Sequence, residues 1–341
     1  MKKIISTLTI FIIILIIGIF CISCNANKSN ENFRDENTTL NFAAPEGTPA
    51  LAILRMPENY KKIDGTNINY KIVSPTNIAA EMSSKESQLI IMPINAGANL
   101  IRQGAKYKLV SIAVEGSLFM IGNNSAGNHI NLTDIIGKKI ACIGKTGIPG
   151  LIFRFVMKNN GINIIENGNP NSENNEILVQ YVADGNVAKT LLSNNQVDFA
   201  VVGEPAASAL KNALNLNSEM NIQSEYSKLN SSESANYAQA GLFVVNELAE
   251  DERFMNELFA ALKTNKDWIN SNPNQVMEYA KNNLYPSAMF PAISIPRCAL
   301  NAERLTDNKI NEIISLLKKI MPKDAQGNVI DWDSAKSTIF K

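Results

Sequence analysis

Apolar and polar positions divide this chain into three stretches. Residues 4–22 form an almost unbroken apolar run, led by Lys2 and Lys3 and closed by Ile22-Ser23-Cys24. Residues 25–38 are polar and nearly free of apolar groups, so they cannot bury surface and read as a flexible tether. Beyond them, short apolar runs alternate with amphipathic segments. Strands are predicted at 40–44, 68–73, 88–92, 108–114, 118–121, 139–143, 177–182, 197–202 and 241–245. Helices are predicted between them, at 49–56, 78–83, 96–102, 149–159, 187–193 and 205–214. Strand alternating with helix implies an α/β fold of parallel sheets with crossover helices. Nearer the C-terminus, Met255, Leu258, Phe259 and Leu262 recur at helical spacing, as do Ile310, Ile313, Ile314 and Leu317. Both segments are expected to pack as amphipathic helices on a domain already built.

The N-terminal run carries an address. A short cationic start, an apolar core and a small residue before cysteine make a secretory signal peptide of the lipoprotein type, residues 1–23. Cleavage before Cys24 and acylation of its thiol would tether the remaining chain to the outer face of a membrane. A run of 19 residues could also span hydrocarbon as an uncleaved anchor, and Cys21 stands where such signals usually carry an aliphatic residue. Both readings place residues 25 onward on the same side of the membrane.

Charge excludes some partners. The chain holds 32 basic and 32 acidic residues, and loss of Lys2 and Lys3 leaves a slight acidic excess. No global field recruits nucleic acid. Cys142 and Cys298 lie in apolar surroundings and read as buried free thiols. The single histidine, His129, lies in a polar turn with no nucleophile motif or second ligand beside it, so neither a catalytic triad nor a histidine metal site is expected. No cofactor, metal or catalytic residue is assigned.

Three strand-to-helix junctions share a grammar: Ala44-Pro45-Glu46-Gly47-Thr48-Pro49, Gly144-Lys145-Thr146-Gly147-Ile148-Pro149 and Val202-Gly203-Glu204-Pro205. Each leaves the carboxyl end of an apolar strand, passes through glycine and sets proline where a helix begins. Thr48 and Thr146 can offer oxygens at the helix entrance, and a fourth junction, Met92-Pro93-Ile94-Asn95-Ala96, offers Asn95 as a cap. Such helix starts favour anions, and ligand crevices of open α/β sheets lie at the carboxyl ends of strands. The same junctions also serve as plain connectors. Glu46, Glu115 and Glu204 are loop or strand-end acids, either paired with a cationic ligand group or solvated.

These junctions, in their order, resemble the solute-binding proteins of ABC transporters in the nitrate, sulfonate, taurine and pyrimidine-precursor group. The likeness runs over about residues 40–300, through Ala44 to Ala52, Leu89 to Ala96, Leu132 to Ile140, Ala183-Asp184-Gly185, Val197 to Pro205, and Gly241 to Val245. It implies a two-lobed periplasmic-binding-protein-like fold of type II, with parallel sheets, crossover helices and two interlobe crossings. Lobe one would be residues 40–115 plus 240–341 and lobe two residues 116–239, after a tether of residues 24–39. It also implies ligand contacts from Glu46, Gly47, Thr48, Asn95, Ala96, Thr146, Gly147 and Glu204. The expected function is an extracytoplasmic, lipid-anchored, monomeric receptor that hands a small solute to an ABC permease and its ATPase. Only Lys145 among the loop residues is cationic, which suits a neutral or zwitterionic solute such as an amino sulfonate or aminopyrimidine, unless Arg154 or Arg297 reaches the cleft. Two rivals are a surface sensor or adhesin on the same fold and a pyrimidine-synthase-like enzyme. The latter would need a reactive histidine, and His129 lies outside the matched loops.

Overall fold

The computed structural model describes residues 34, 38–123, 127–230, 236–285 and 289–341; the expected signal peptide, Cys24 and most of the expected tether lie outside them. No helix among the described residues is long and apolar enough to cross a membrane. Among the described residues the nine expected apolar runs are strands and three short strands join them, twelve in all: β1 (Thr39–Pro45), β2 (Lys62–Ile63), β3 (Thr66–Val73), β4 (Leu89–Pro93), β5 (Tyr107–Glu115), β6 (Leu118–Gly122), β7 (Lys139–Ile143), β8 (Asn163–Ile165), β9 (Glu176–Val182), β10 (Phe199–Gly203), β11 (Ser218–Asn221) and β12 (Ala238–Val245). They form two six-stranded sheets, ordered β2-β3-β1-β4-β12-β5 and β11-β6-β10-β7-β9-β8. The chain leaves the first sheet through Gly116 and Ser117 and returns to it at β12. One apolar core runs through both sheets, and Thr39–Lys341 holds together as one compact unit.

The sheets are mixed, where a parallel pattern was expected. β1 lies parallel to β3 and β4, and β7 lies parallel to β9 and β10. By contrast, β12 is antiparallel to β4 and β5, and β6 is antiparallel to β10 and β11. Apolar runs such as Leu89-Ile90-Ile91-Met92 report burial on both faces, not strand direction. Direction follows from the connections, and β6 and β12 are the strands entered from the other sheet.

The helix expected over 49–56 divides into Thr48–Leu51 and Met56–Asn59. Pro57 cannot donate the N–H that a continuous helix needs. Asn265, on the long helix Glu252–Ser271, closes the break. Its amide nitrogen donates to the Leu51 and Ala52 carbonyls at 2.8 and 2.9 Å, and its oxygen accepts from Arg55 N–H at 2.9 Å. The two C-terminal amphipathic segments are helices, Glu252–Ser271 and Asp307–Ile320, with their apolar residues buried. Residues 299–305 run along β5: Glu115 N–H donates to Ala299 O, and Leu305 N–H to Val110 O, at 3.0 and 3.3 Å. The edge of the first sheet is thereby covered.

Helix Ile94–Arg102 lies close on β12, because Gly97 faces the Phe243 ring. A Cβ at Gly97 would stand 2.2 Å from Phe243 Cζ. Gly97→Ala is expected to lower unfolding free energy by about 1–3 kcal/mol through overpacking, read by urea denaturation; an unchanged midpoint would mean this contact is slack.

Candidate functional site

β1 and β4 are parallel neighbours in one sheet, and β7 and β10 are parallel neighbours in the other. The loops at their carboxyl ends meet. After β1, Gly47 takes φ 94°, a left-handed conformation that side chains disfavour, and its N–H donates to the Tyr285 hydroxyl at 3.2 Å. Thr48 then turns inward, 2% exposed. Its hydroxyl donates to the Glu204 carbonyl at 2.5 Å and lies 3.6 Å from Cys298 Sγ. Thr48 therefore bridges two loops and does not present its oxygen at an open helix entrance. After β4, Asn95 is 4% exposed, and its amide nitrogen donates to the Thr146 carbonyl at 3.0 Å. Pro93 occupies the cap of helix Ile94–Arg102, so Asn95 is not the cap expected from sequence. Asn95 Oδ1 is buried without a hydrogen-bond partner among the described residues.

The other predicted residues divide by exposure. Glu46 is exposed, and its carboxylate enters no ion pair among the described residues. Ala96 is half-buried against the apolar core. Thr146 contributes its backbone carbonyl while its side chain is exposed, and Gly147 caps helix Ile148–Asn159 with its own N–H donating to Gly144 O at 3.0 Å. Glu115 is taken by Lys309 at 3.2 Å.

Glu204 is not a solvated loop acid. It is 4% exposed and accepts from Ser208 N–H at 3.1 Å and from Ser208 Oγ at 2.9 Å. Arg297 Nε stands 2.5 Å from Glu204 Oε1, and its other nitrogens donate to Glu219 at 3.1 and 3.3 Å. The guanidinium also lies over the Phe119 ring, 3.9 Å from its centroid. Burial pushes the Glu204 carboxyl above the usual range, outweighing Arg297 and Ser208, which pull it down. Partial burial also pushes Glu219 up, but hydrogen bonds and charge from Arg297 and Lys211 hold it below the usual range.

Arg297 was visible in sequence only as a distant cation; the fold makes it the partner of Glu204. The Ser208 contact had a signal, since Ser208 lies four residues on, in the first turn of the helix Ala206–Ala213 that follows Glu204. The thiols match their expected state. Cys142 and Cys298 are free and buried, and burial pushes both up to about 12. His129 is exposed and bridges β11 at Glu219.

No protein-family model matches the sequence, and no curated protein matches it. Solved structures do. An ABC transporter protein from Parabacteroides distasonis superposes with TM-score 0.68 at 17% identity, over 86% of this chain and 97% of that one. The ligand-binding component of an ABC-type import system from Staphylococcus aureus, solved with zinc bound, gives 0.61 at 12% identity, over 89% and 96%. The periplasmic aliphatic sulphonate-binding protein SsuA from Escherichia coli gives 0.60 at 12%, over 86% and 92%. What is shared at these identities is the architecture, a mixed α/β fold of the periplasmic-binding-protein kind.

Arg297→Ala leaves the Glu204 carboxylate buried without its cation and is expected to cost about 3 kcal/mol near neutral pH. The folded-state pKa of Glu204 already lies above its unfolded value and rises further without Arg297. Protonation therefore favours the folded variant as pH falls through that raised pKa toward the unfolded one. The deficit should shrink as pH falls from neutral toward the ordinary glutamate range in urea titrations. A deficit that stays flat as pH falls toward the ordinary glutamate range would place Glu204 in water.

Proposed function

We propose that this chain is an extracytoplasmic solute-binding protein that captures a small polar molecule between two lobes and delivers it to an ABC permease and its ATPase. The lobes are residues 40–115 with 240–341, and residues 116–239. The observation that carries this reading is the pair of hydrogen bonds, Thr48 to the Glu204 carbonyl and Asn95 to the Thr146 carbonyl, joining loops at the strand ends of one sheet to those of the other. A solute lodged among these loops touches both lobes at once. It binds the closed arrangement better than an open one, and that difference in affinity drives closure. Likeness in fold to the Staphylococcus aureus import component and to SsuA supports the class. The N-terminal pattern ending at Cys24 supports a lipid anchor on the outer face of a membrane, and the folded part is read as a monomer. The reading is of a receptor and not an enzyme, since the only histidine is an exposed one outside the four loops.

Purified protein screened by thermal shift against sulfonates, nitrate, pyrimidines, amino acids and polyamines should give at least one hit. A ligand of the folded state at about 100 times its Kd adds about 2.7 kcal/mol of stability. A bound solute should also reduce the radius of gyration in X-ray scattering. A flat panel with no compaction would sink the reading. Independently, Cys24→Ser should release the protein from the membrane fraction or block its processing; unchanged acylated protein would move the anchor to another residue, with Cys21 the nearest thiol.

A further inference from the structure

We infer that the cleft selects a solute carrying an N–H or O–H donor and no net negative charge, and that Asn95 reads that donor. The inference rests on the solute-binding reading above and narrows it. Asn95 is fixed in one orientation. Its nitrogen donates to the Thr146 carbonyl, and a carbonyl can only accept, so the amide cannot flip without setting two acceptors against each other. Its oxygen is thus held as an acceptor, and that oxygen is buried with no partner among the described residues. Leaving such an acceptor unpaired is costly, and a donor from the solute relieves the cost. A sulfonate, nitrate or carboxylate oxygen would face it as acceptor against acceptor.

Charge around the four loops points the same way. Arg297 is claimed by Glu204 and Glu219, and Glu219 also holds Lys211. Lys145 is paired with Glu166 at 2.5 Å. Arg154 lies over the Tyr181 ring and donates to its hydroxyl at 3.2 Å. Glu46, exposed beside Gly47, adds a negative charge that no ion pair among the described residues offsets. Of these cations only Arg154 lacks a carboxylate partner, so it is the one route by which an anion could be held.

The test is calorimetric titration of the full chain with adenine and cytosine, whose N–H groups donate, against ethanesulfonate and nitrate, whose oxygens only accept. N6,N6,9-trimethyladenine and N4,N4,1-trimethylcytosine, which carry no N–H, serve as the donor-blocked controls. At least one donor probe should bind, should lose at least tenfold in affinity when its donor is methylated, and should lose that discrimination in Asn95→Leu. Should Asn95→Leu fail to fold, the wild-type comparison of blocked and unblocked probes decides alone. Tighter binding of ethanesulfonate or nitrate than of either donor probe overturns the inference and leaves solute capture standing; loss of that binding in Arg154→Gln would name the residue responsible. Equal affinity for blocked and unblocked adenine also overturns it. Silence of every probe, with a flat panel in the wider screen, sinks both readings.

Discussion

The Arg297 guanidinium ties the C-terminal segment around it to the second sheet. Arg297 sits in the 3₁₀ segment Ala292–Cys298, which packs beside Ala50 and Leu51 of the first junction helix. Its charge is held by Glu204 after β10 and by Glu219 on β11. The Glu204 side chain is fully buried, so its ionised form stands only because a cation and two Ser208 groups replace the water it lost. The consequences spread from there. With Glu204 anchored, its carbonyl is placed to accept from Thr48, and Thr48 in turn lies against Cys298, the residue beside Arg297. Junction helix, C-terminal segment and second-sheet loop are one connected polar cluster.

The contacts that cross between strand-end loops away from that cluster are of a different kind. Asn95 to Thr146 is a neutral hydrogen bond, and such bonds contribute about 0.5–1.5 kcal/mol net because water competes for the same groups. Under the proposed function, a solute that donates to Asn95 and touches the facing loop would add to this hydrogen bond, and closure would be linked to binding.

Around this site the scaffold is stiff. Helix Ile94–Arg102 is pressed onto β12 by Gly97, Asn265 satisfies the broken turn after Leu51, and the chain after Ala299 covers the edge of β5. Each device fixes the position of a loop at a strand's carboxyl end. The strand ends are thereby held steady while the loops carry the polar chemistry, the usual division between frame and site in α/β folds.

Much of this architecture could be read along the chain. Runs such as Leu89-Ile90-Ile91-Met92 and Phe199-Ala200-Val201-Val202 declare buried strands, because burial on both faces requires continuous apolar residues. Helical spacing at Met255-Leu258-Phe259-Leu262 and at Ile310-Ile313-Ile314-Leu317 declares helices for the same local reason. The four junctions were visible as proline at strand ends, three of them with glycine beside it. The short strands β2, β8 and β11 were not, since two to four residues are too few to show a period. The antiparallel course of β6 and β12 was hidden too, because strand direction is set by connections and not by side chains. Above all, the roles of Glu204, Arg297 and Asn95 could not be told from local pattern. A lone acid before proline looks the same whether water or an arginine far along the chain faces it. Only folding brings Arg297 to that carboxylate and the Thr146 carbonyl to that amide, and only then do their charges and lone pairs acquire partners.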